Sequence, residues 1–342
     1  MLINLAALVV IVAGIMAAKS LIIPLLLAVF LAVICAPPLY WLRTKGIPPF
    51  LSIIILVAGL IVLETGVATL VGSSITDFSK SLPLYQSRLQ TMLAGVIAWL
   101  GTHGIKVTDQ TLVDQFDPGK IMNMVANTLN TMGGLLTNTF MITLTFVFIL
   151  FEAAGFPDKL RAMAGKRDAD LEEYAEITKG VNRYMVLKTM TSLMTGVLVT
   201  VALKIIGVDF AVMWGLVAFF LNFIPTIGSI IAAVPAVLLA LVQIGTGAAA
   251  ATAACYLVIN MVIGNIVEPK IMGSGIGLSP LVIFVSMAFW GWVLGPVGML
   301  LSVPLTMTLK IILAGNENTR RLALLLGSNN EARAALREQS RA

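Results

Sequence analysis

Long apolar stretches recur along most of the chain, and many are about as long as one membrane-spanning helix. They cover residues 2–18, 21–42, 50–72, 135–151, 189–206 and 247–267, and two longer runs cover residues 210–244 and 281–313. A helix needs about 20 apolar residues to cross the hydrocarbon core of a bilayer. The pattern therefore predicts an all-α polytopic membrane protein with about six full spans plus the two longer runs.

Polar and helix-breaking residues interrupt both longer runs near their middle. Asn222, Pro225 and Gly228 break the first run, and Gly295 and Pro296 break the second. Irregular backbone is tolerated at membrane depth only where protein or a water-filled cavity satisfies its polar groups. Transporters use such breaks to build substrate sites near the bilayer midplane. We therefore expect two re-entrant helical hairpins. The alternative is two full spans per run, within a total of eight to ten hydrophobic segments.

Changes in polarity divide the chain into six predicted parts. These are three N-terminal spans (1–72), a small helical extracytoplasmic insert (73–132), a fourth span (133–156), a basic amphipathic cytoplasmic segment (157–188), a transport core (189–315) and a polar cytoplasmic tail (316–342). Arg43 and Lys45 place the loop after the second span in the cytoplasm, because lysine and arginine favour that side. Counting spans from there, the first hairpin opens outside the cell and the second opens inside.

Composition excludes several other classes of function. The chain is 58% hydrophobic and 11% charged, and its mean hydropathy is +0.98. Its net charge of +5 comes from loops beside apolar segments, so we expect no nucleic-acid partner. Cys35 and Cys255 lie in apolar segments and His103 is the single histidine, so we expect no disulfide, metal or cofactor. Without a catalytic constellation or a P-loop, the pattern indicates neither an enzyme nor an ATP-driven pump.

Several short motifs carry a family resemblance that extends over nearly the whole chain. They are the segments 222–228 (NFIPTIG), 264–273 (GNIVEPKIMG), 277–280, 289–292, 294–298 and 301–305. In these motifs the chain is similar to the autoinducer-2 exporter (AI-2E) family of bacterial permeases. The resemblance implies a secondary transporter of the inner (cytoplasmic) membrane that exports autoinducer-2 or a similar small polar solute. It also implies an elevator-type movement and a homo-oligomer, expected to be a pentamer. The alternative is a sodium (lithium)/proton antiporter, because other family members resemble such proteins.

Autoinducer-2 is small, neutral and polyhydroxylated, so its site needs hydrogen-bonding groups and exposed backbone rather than a nucleophile. A structural role is an equal alternative for Asn222, and Pro225 and Gly228 shape the turn. Asn260 and Asn265 lie on an otherwise apolar helix, where helix–helix hydrogen bonding competes with a place on the transport path. The candidate substrate-binding residues are Asn222, Pro225, Thr226, Gly228, Ser229, Asn260, Asn265, Gly295 and Pro296.

Three charged residues are candidates for gating or coupling. Glu268 and Lys270 flank Pro269 at the cytoplasmic end of a span, where an interfacial ion pair or a helix-end anchor is the alternative. Glu64 lies inside the third span, where an ionisable group suggests a function. Its distance of some two turns from the predicted outer end of that span favours a simple interfacial position instead.

Overall fold

A computed structural model describes residues 2–103, 118–135, 139–164, 168–225, 227–272, 277–315 and 319–328. The described residues form helices and no strands. The helices are α1 (Leu2–Ala17), α2 (Lys19–Thr44), α3 (Pro49–Thr102), α4 (Pro118–Leu135), α5 (Thr139–Ala164), α6 (Asp168–Ile206), α7 (Ala211–Leu221), α8 (Ile227–Gln243), α9 (Thr246–Val262), α10 (Glu268–Met272), α11 (Pro280–Leu294), α12 (Pro296–Leu300), α13 (Ser302–Ala314) and α14 (Arg320–Leu326). A π-helical segment, Ile263–Val267, joins α9 to α10.

Helix length separates two kinds of apolar element. Four helical stretches are long and apolar enough to cross a membrane: Lys19–Thr44, Pro49–Trp99, Gly180–Ile206 and Thr246–Ile271. The shorter apolar helices α7, α8, α11 and α13 have 11, 17, 15 and 13 residues. At 1.5 Å per residue they are about 17–26 Å long, less than the roughly 30 Å of a hydrocarbon core. The prediction of an all-helical polytopic membrane protein is confirmed.

Helix α3 is much longer than one span. Its 54 residues run without a break through Gly72 and Ser73, where the composition changes from apolar to polar. A helix of this length extends about 80 Å, so much of it must lie outside the bilayer. Polar residues favour water without breaking a helix, which explains why the change in composition leaves the backbone unaffected. The outer half of α3, from Ser73 to Thr102, packs against α4 through Tyr85, Leu89, Met122, Val125 and Leu129.

The buried core consists of three clusters. One joins α2, α3 and α5 around Ala28, Ile53 and Phe146. A second joins the outer half of α3 and α4 to α7 and α8. In the third, residues of α2 and α6 meet those of the broken apolar runs. Helices α6 and α7 approach closely because Gly196 and Gly215 face each other, and a Cβ on either would overlap the backbone of its neighbour.

Candidate functional site

The first broken run folds into an antiparallel helical hairpin. Its arms are α7 and α8, and the helices are interrupted at Asn222–Pro225, where the sequence places its break. At the open end, the Gln243 amide donates to the Gly207 carbonyl (3.2 Å) and accepts a bond from the Asp209 N–H (2.9 Å). One side chain thus joins the last residue of α8 to the turn before α7.

The outer half of α3 holds this open end. The Tyr85 hydroxyl donates to an Asp209 carboxylate oxygen (2.8 Å), and Arg88 donates to the Gln243 carbonyl (2.9 Å). Burial, and then the hydrogen bond to Asp209, raises the pKa of Tyr85 to about 12. The phenol therefore remains a hydrogen-bond donor at any physiological pH. The open end of the first hairpin and the outer half of α3 consequently lie on the same side of the molecule.

The second broken run forms a similar antiparallel pair. Helix α11 ends at Leu294, and Pro296 begins α12. Gly295 between them has a φ of 69°, in a region that L side chains rarely adopt. At the open end, Lys310 near the end of α13 donates to the carbonyl of Gly277, just before α11 (2.6 Å). Between the arms, the Trp290 indole donates to the Thr306 hydroxyl (3.1 Å).

The two hairpins open at opposite ends of the molecule. The first ends at Gln243, and the chain reaches the second through the apolar helical stretch Thr246–Ile271. That stretch has 26 residues and is therefore about 39 Å long, enough to cross a bilayer. This arrangement agrees with hairpins that enter the membrane from opposite faces.

Residues from both hairpin breaks belong to one buried cluster on α6. Phe223 comes from the first break and Val297, Leu301 and Val303 from the second, and Tyr184 and Met185 of α6 belong to the same cluster. Phe223 also packs edge to face against Phe30 of α2, with 5.4 Å between ring centroids. Buried side chains at or next to both breaks therefore belong to the same cluster with α6.

A polar stripe on α6 runs past this meeting point. Tyr184, Lys188 and Ser192 follow one another at intervals of four residues, so they share one face of the helix, and all three are buried. Asn222, at the first break, donates to the Ser192 hydroxyl (3.0 Å). The sequence-predicted residue Asn222 is thus bonded to a second polar group in the interior.

One turn from Ser192, the Lys188 ammonium forms an ion pair with Glu268 at 2.7 Å. The Lys188 side chain is 5% exposed and that of Glu268 is 18% exposed. Charges removed from water to this degree need a partner, and here each charge balances the other. The stripe therefore offers hydrogen-bonding groups with no net charge.

The comparisons with known proteins agree with this architecture. The family model described as AI-2E family transporter matches residues 5–316. The chain belongs to the AI-2E transporter family. It is 38% identical to the AI-2 transport protein TqsA of Escherichia coli K12, with 96% of each chain covered. It is also 38% identical to a protein of Haemophilus influenzae, with 95% of each chain covered, that carries only a general description as a transport protein.

Other candidate residues of this AI-2E protein lie apart from the stripe. Asn265 and Lys270 are exposed, and Asn260 is half-buried on α9. Pro296 is exposed beside the buried Val297, and Thr226 lies outside the described residues. Lys270 is not the partner found for Glu268, although it lies only two residues away. The tertiary contact with Lys188 thus replaces the local pairing that the sequence suggested.

Gly228 and Gly298 have a different role from the one expected for a site-lining glycine. A Cβ built on Gly228 would overlap the Leu221 carbonyl, and one on Gly298 would overlap the Trp290 carbonyl. In both hairpins a glycine therefore lets the second arm lie directly against the backbone of the first. Even a methyl group at Gly228 would therefore disturb the hairpin.

Glu64 lies in a separate groove between α3 and α5. The Thr143 hydroxyl bonds to its carboxylate, 2.8 and 3.0 Å from the two oxygens. The groove also contains Thr65, Thr69 and Thr139 beside apolar side chains. Helix α3 continues past Glu64 to Thr102, and the interfacial position expected for Glu64 stays a prediction.

Sequence reasoning missed Lys188 and Ser192 as site residues. It assigned Lys188 to the basic cytoplasmic segment because it began the next span at residue 189. The apolar helical stretch instead starts at Gly180, which places Lys188 inside it. An ionisable residue within a span is the signal that marks it for functional attention.

Proposed function

We propose that this protein is a secondary transporter of the bacterial inner membrane that exports autoinducer-2 or a similar small polar solute. Its family and relatives are transport proteins, and TqsA, at 38% identity, is named for AI-2 transport. Membership alone leaves the substrate open, because other relatives carry no substrate in their description. Transport rather than catalysis is the activity that follows.

The buried cluster that contains residues from both hairpin breaks and from α6 is the observation that carries this proposal. Helix breaks expose backbone groups that a polar solute can use, and they lie beside the bonded pair Asn222 and Ser192. A compensated ion pair adds polarity without a net charge. Such a lining suits a neutral polyhydroxylated molecule better than an ion.

We assign solute binding to the breaks and to the polar residues nearest them. Asn222 supplies an amide that can exchange its bond to Ser192 for one to the solute. The second break adds the backbone around Gly295 and Pro296. Pro225, Thr226, Ser229, Asn260 and Asn265 remain candidates from the sequence.

The ion pair is a natural gate for such a site. Glu268 follows the π segment Ile263–Val267, a local widening of the helix of a kind often found at functional sites. Breaking the pair would separate Glu268, the first residue of α10, from the middle of the stripe on α6. Glu268 is therefore our leading gating residue, and Lys188 is its partner. Lys270 is a weaker candidate because it is exposed.

We further propose an elevator-type movement within a homo-oligomer, expected to be a pentamer. The short arms of both hairpins and their opposite open ends support the movement. The pentamer rests on the family resemblance alone.

Uptake of labelled autoinducer-2 into proteoliposomes tests the proposal. Wild-type protein should exceed protein-free liposomes, and Asn222→Ala should lower the rate at least tenfold. Thr308→Ala, a change in the second hairpin away from its break, is the matched control and should transport normally. Sodium and proton gradients imposed in either direction show whether transport is coupled. Absence of uptake by folded wild-type protein under every gradient would contradict autoinducer-2 transport, and sodium-driven proton movement without solute would favour the antiporter.

A further inference from the structure

A groove between α2 and α6 combines apolar walls with a basic mouth. Its volume is about 420 Å³. The lining residues are Val33, Ala36, Pro37 and Tyr40 of α2 and Asn182, Arg183, Val186 and Leu187 of α6. Both helices contain stretches able to cross a membrane, so the groove lies between two candidate spans.

The chemistry of the groove changes along its length. Helix α2 runs from Val33 towards Tyr40 and the basic loop, whereas α6 runs from Asn182 towards Leu187 into the apolar region. Tyr40, Asn182 and Arg183 therefore lie at the end next to Arg43 and Lys45. The positive-inside rule places that end at the cytoplasmic surface. Apolar side chains line the remainder, at greater depth in the membrane.

Arg43 adds a second observation at the mouth. Its Nε is buried, and no described residue accepts a hydrogen bond from it. Helical periodicity places Arg43 on the turn beyond Tyr40, on the Ala36 side of the groove. The Arg43 side chain as a whole is only half-buried, so its positive charge lies next to the mouth, where it can stabilise an anion. Lys45, by contrast, lies over the Trp41 ring, 5.8 Å from its centroid.

The groove is separate from the proposed solute site. Its α6 residues lie on the face of the helix opposite Tyr184, Lys188 and Ser192, which point into the core. Whatever binds the groove therefore contacts α6 without entering the polar stripe. This inference does not depend on autoinducer-2 being the transported solute.

We propose that the groove binds an anionic phospholipid of the cytoplasmic leaflet. The phosphate lies at Arg183 and Arg43, and an acyl chain lies along Val33, Val186 and Leu187. Basic pockets between membrane helices on the cytoplasmic side suit anionic headgroups. A free anion would use only the mouth, whereas a lipid matches both the basic mouth and the apolar walls. The volume accommodates a headgroup and the first part of a chain, so the rest of the lipid extends into the bilayer.

Lipid binding to the full-length protein in detergent tests the proposal. Phosphatidylglycerol, phosphatidylcholine and inorganic phosphate are the probes, and native mass spectrometry counts the bound molecules. Phosphatidylglycerol should bind at least tenfold more tightly than phosphatidylcholine. Inorganic phosphate should not displace it at tenfold excess. Equal binding of both lipids, or displacement by phosphate alone, would overturn the proposal.

Variants separate this site from the general attraction of basic residues to anionic lipid. Arg43→Gln/Arg183→Gln should weaken phosphatidylglycerol binding at least tenfold. Leu187→Trp should weaken it to a similar extent by filling the groove, while every charge remains. Lys45→Gln/Arg321→Gln is the matched control, because it also removes two positive charges but from residues outside the groove lining, and binding should stay within twofold of wild type. An equal loss in the control, or unchanged binding in Leu187→Trp, would show that no such groove site exists.

Discussion

The break of the first hairpin makes a hydrogen bond from Asn222 to Ser192, whereas the break of the second contributes Val297 and nearby apolar side chains to a buried cluster. The open ends differ as well. The first is held by Gln243 and by Tyr85 of α3, and the second by Lys310. Two hairpins with a similar backbone thus meet α6 through different chemistry. We infer that the first hairpin recognises the polar solute and that the second shapes and closes the site.

The largest effect is expected at the ion pair between Lys188 of α6 and Glu268 of α10. Lys188→Met leaves Glu268 charged and mostly buried without its partner, which should destabilise the protein by about 3–5 kcal/mol and abolish transport. Thermal unfolding in detergent measures the loss. The double variant Lys188→Met/Glu268→Gln should recover most of the stability but not the transport. Equal stability of the single variant and wild type would show that the ion pair is unimportant.

Replacing the glycine at which the two arms of each hairpin touch should cost a smaller amount of stability, equal for the two hairpins. Gly228→Ala and Gly298→Ala each force a methyl group against a carbonyl, at a cost of about 1–3 kcal/mol. Gly247→Ala is the matched control, because its Cβ would meet nothing within 4 Å. Unfolding midpoints of the three variants test whether both hairpins depend on close backbone contact at a glycine. If Gly247→Ala lowered the unfolding midpoint as much as the other two variants, steric overlap would not explain the loss of stability.

Substituting one side chain by alanine at each break compares the roles of the two hairpins most directly. Asn222→Ala and Val297→Ala should each cost about 1 kcal/mol of stability, from a hydrogen bond and from buried methyl groups respectively. Only Asn222→Ala should lower uptake of labelled autoinducer-2 tenfold or more, through a weaker apparent affinity. Similar transport losses in both variants would contradict separate roles for the two hairpins.

The smallest effect is expected at Glu64, which belongs to neither hairpin. Glu64→Gln keeps an acceptor for Thr143, so stability should change by less than about 0.5 kcal/mol and solute uptake should remain within twofold. Val57→Ala in the same groove serves as a control for packing. Loss of gradient-driven transport by folded Glu64→Gln protein would move the coupling site away from the hairpins and support the antiporter alternative.

The sequence predicted the breaks of both hairpins because proline, glycine and asparagine disturb a helix locally. Asn222, Pro225, Gly295 and Pro296 were identified in this way. Their tertiary partners were not, because nothing local links Asn222 to Ser192 or Glu268 to Lys188. Gln243 and Lys310 likewise close the hairpins through contacts that only the folded chain creates.

Long helices were also harder to predict than breaks. Residue 73 marks a change in polarity, yet α3 continues to Thr102 because solvent exposure does not interrupt backbone hydrogen bonding. For the same reason the sequence predicted that the span in α6 begins at residue 189. The apolar helical stretch begins at Gly180 and therefore includes Lys188. The predicted domain boundaries remain predictions, while the all-helical membrane fold is confirmed.

The central claim is that the two hairpins open on opposite sides of the membrane, and labelling of their open ends tests it most directly. In a Cys35→Ser/Cys255→Ser background, Ile244→Cys marks the first open end and Lys270→Cys the chain leading to the second. Oriented vesicles are treated with a membrane-impermeant maleimide. Ile244→Cys should react only from outside the cell and Lys270→Cys only from the cytoplasm. Reaction of both cysteines from the same side would contradict the account.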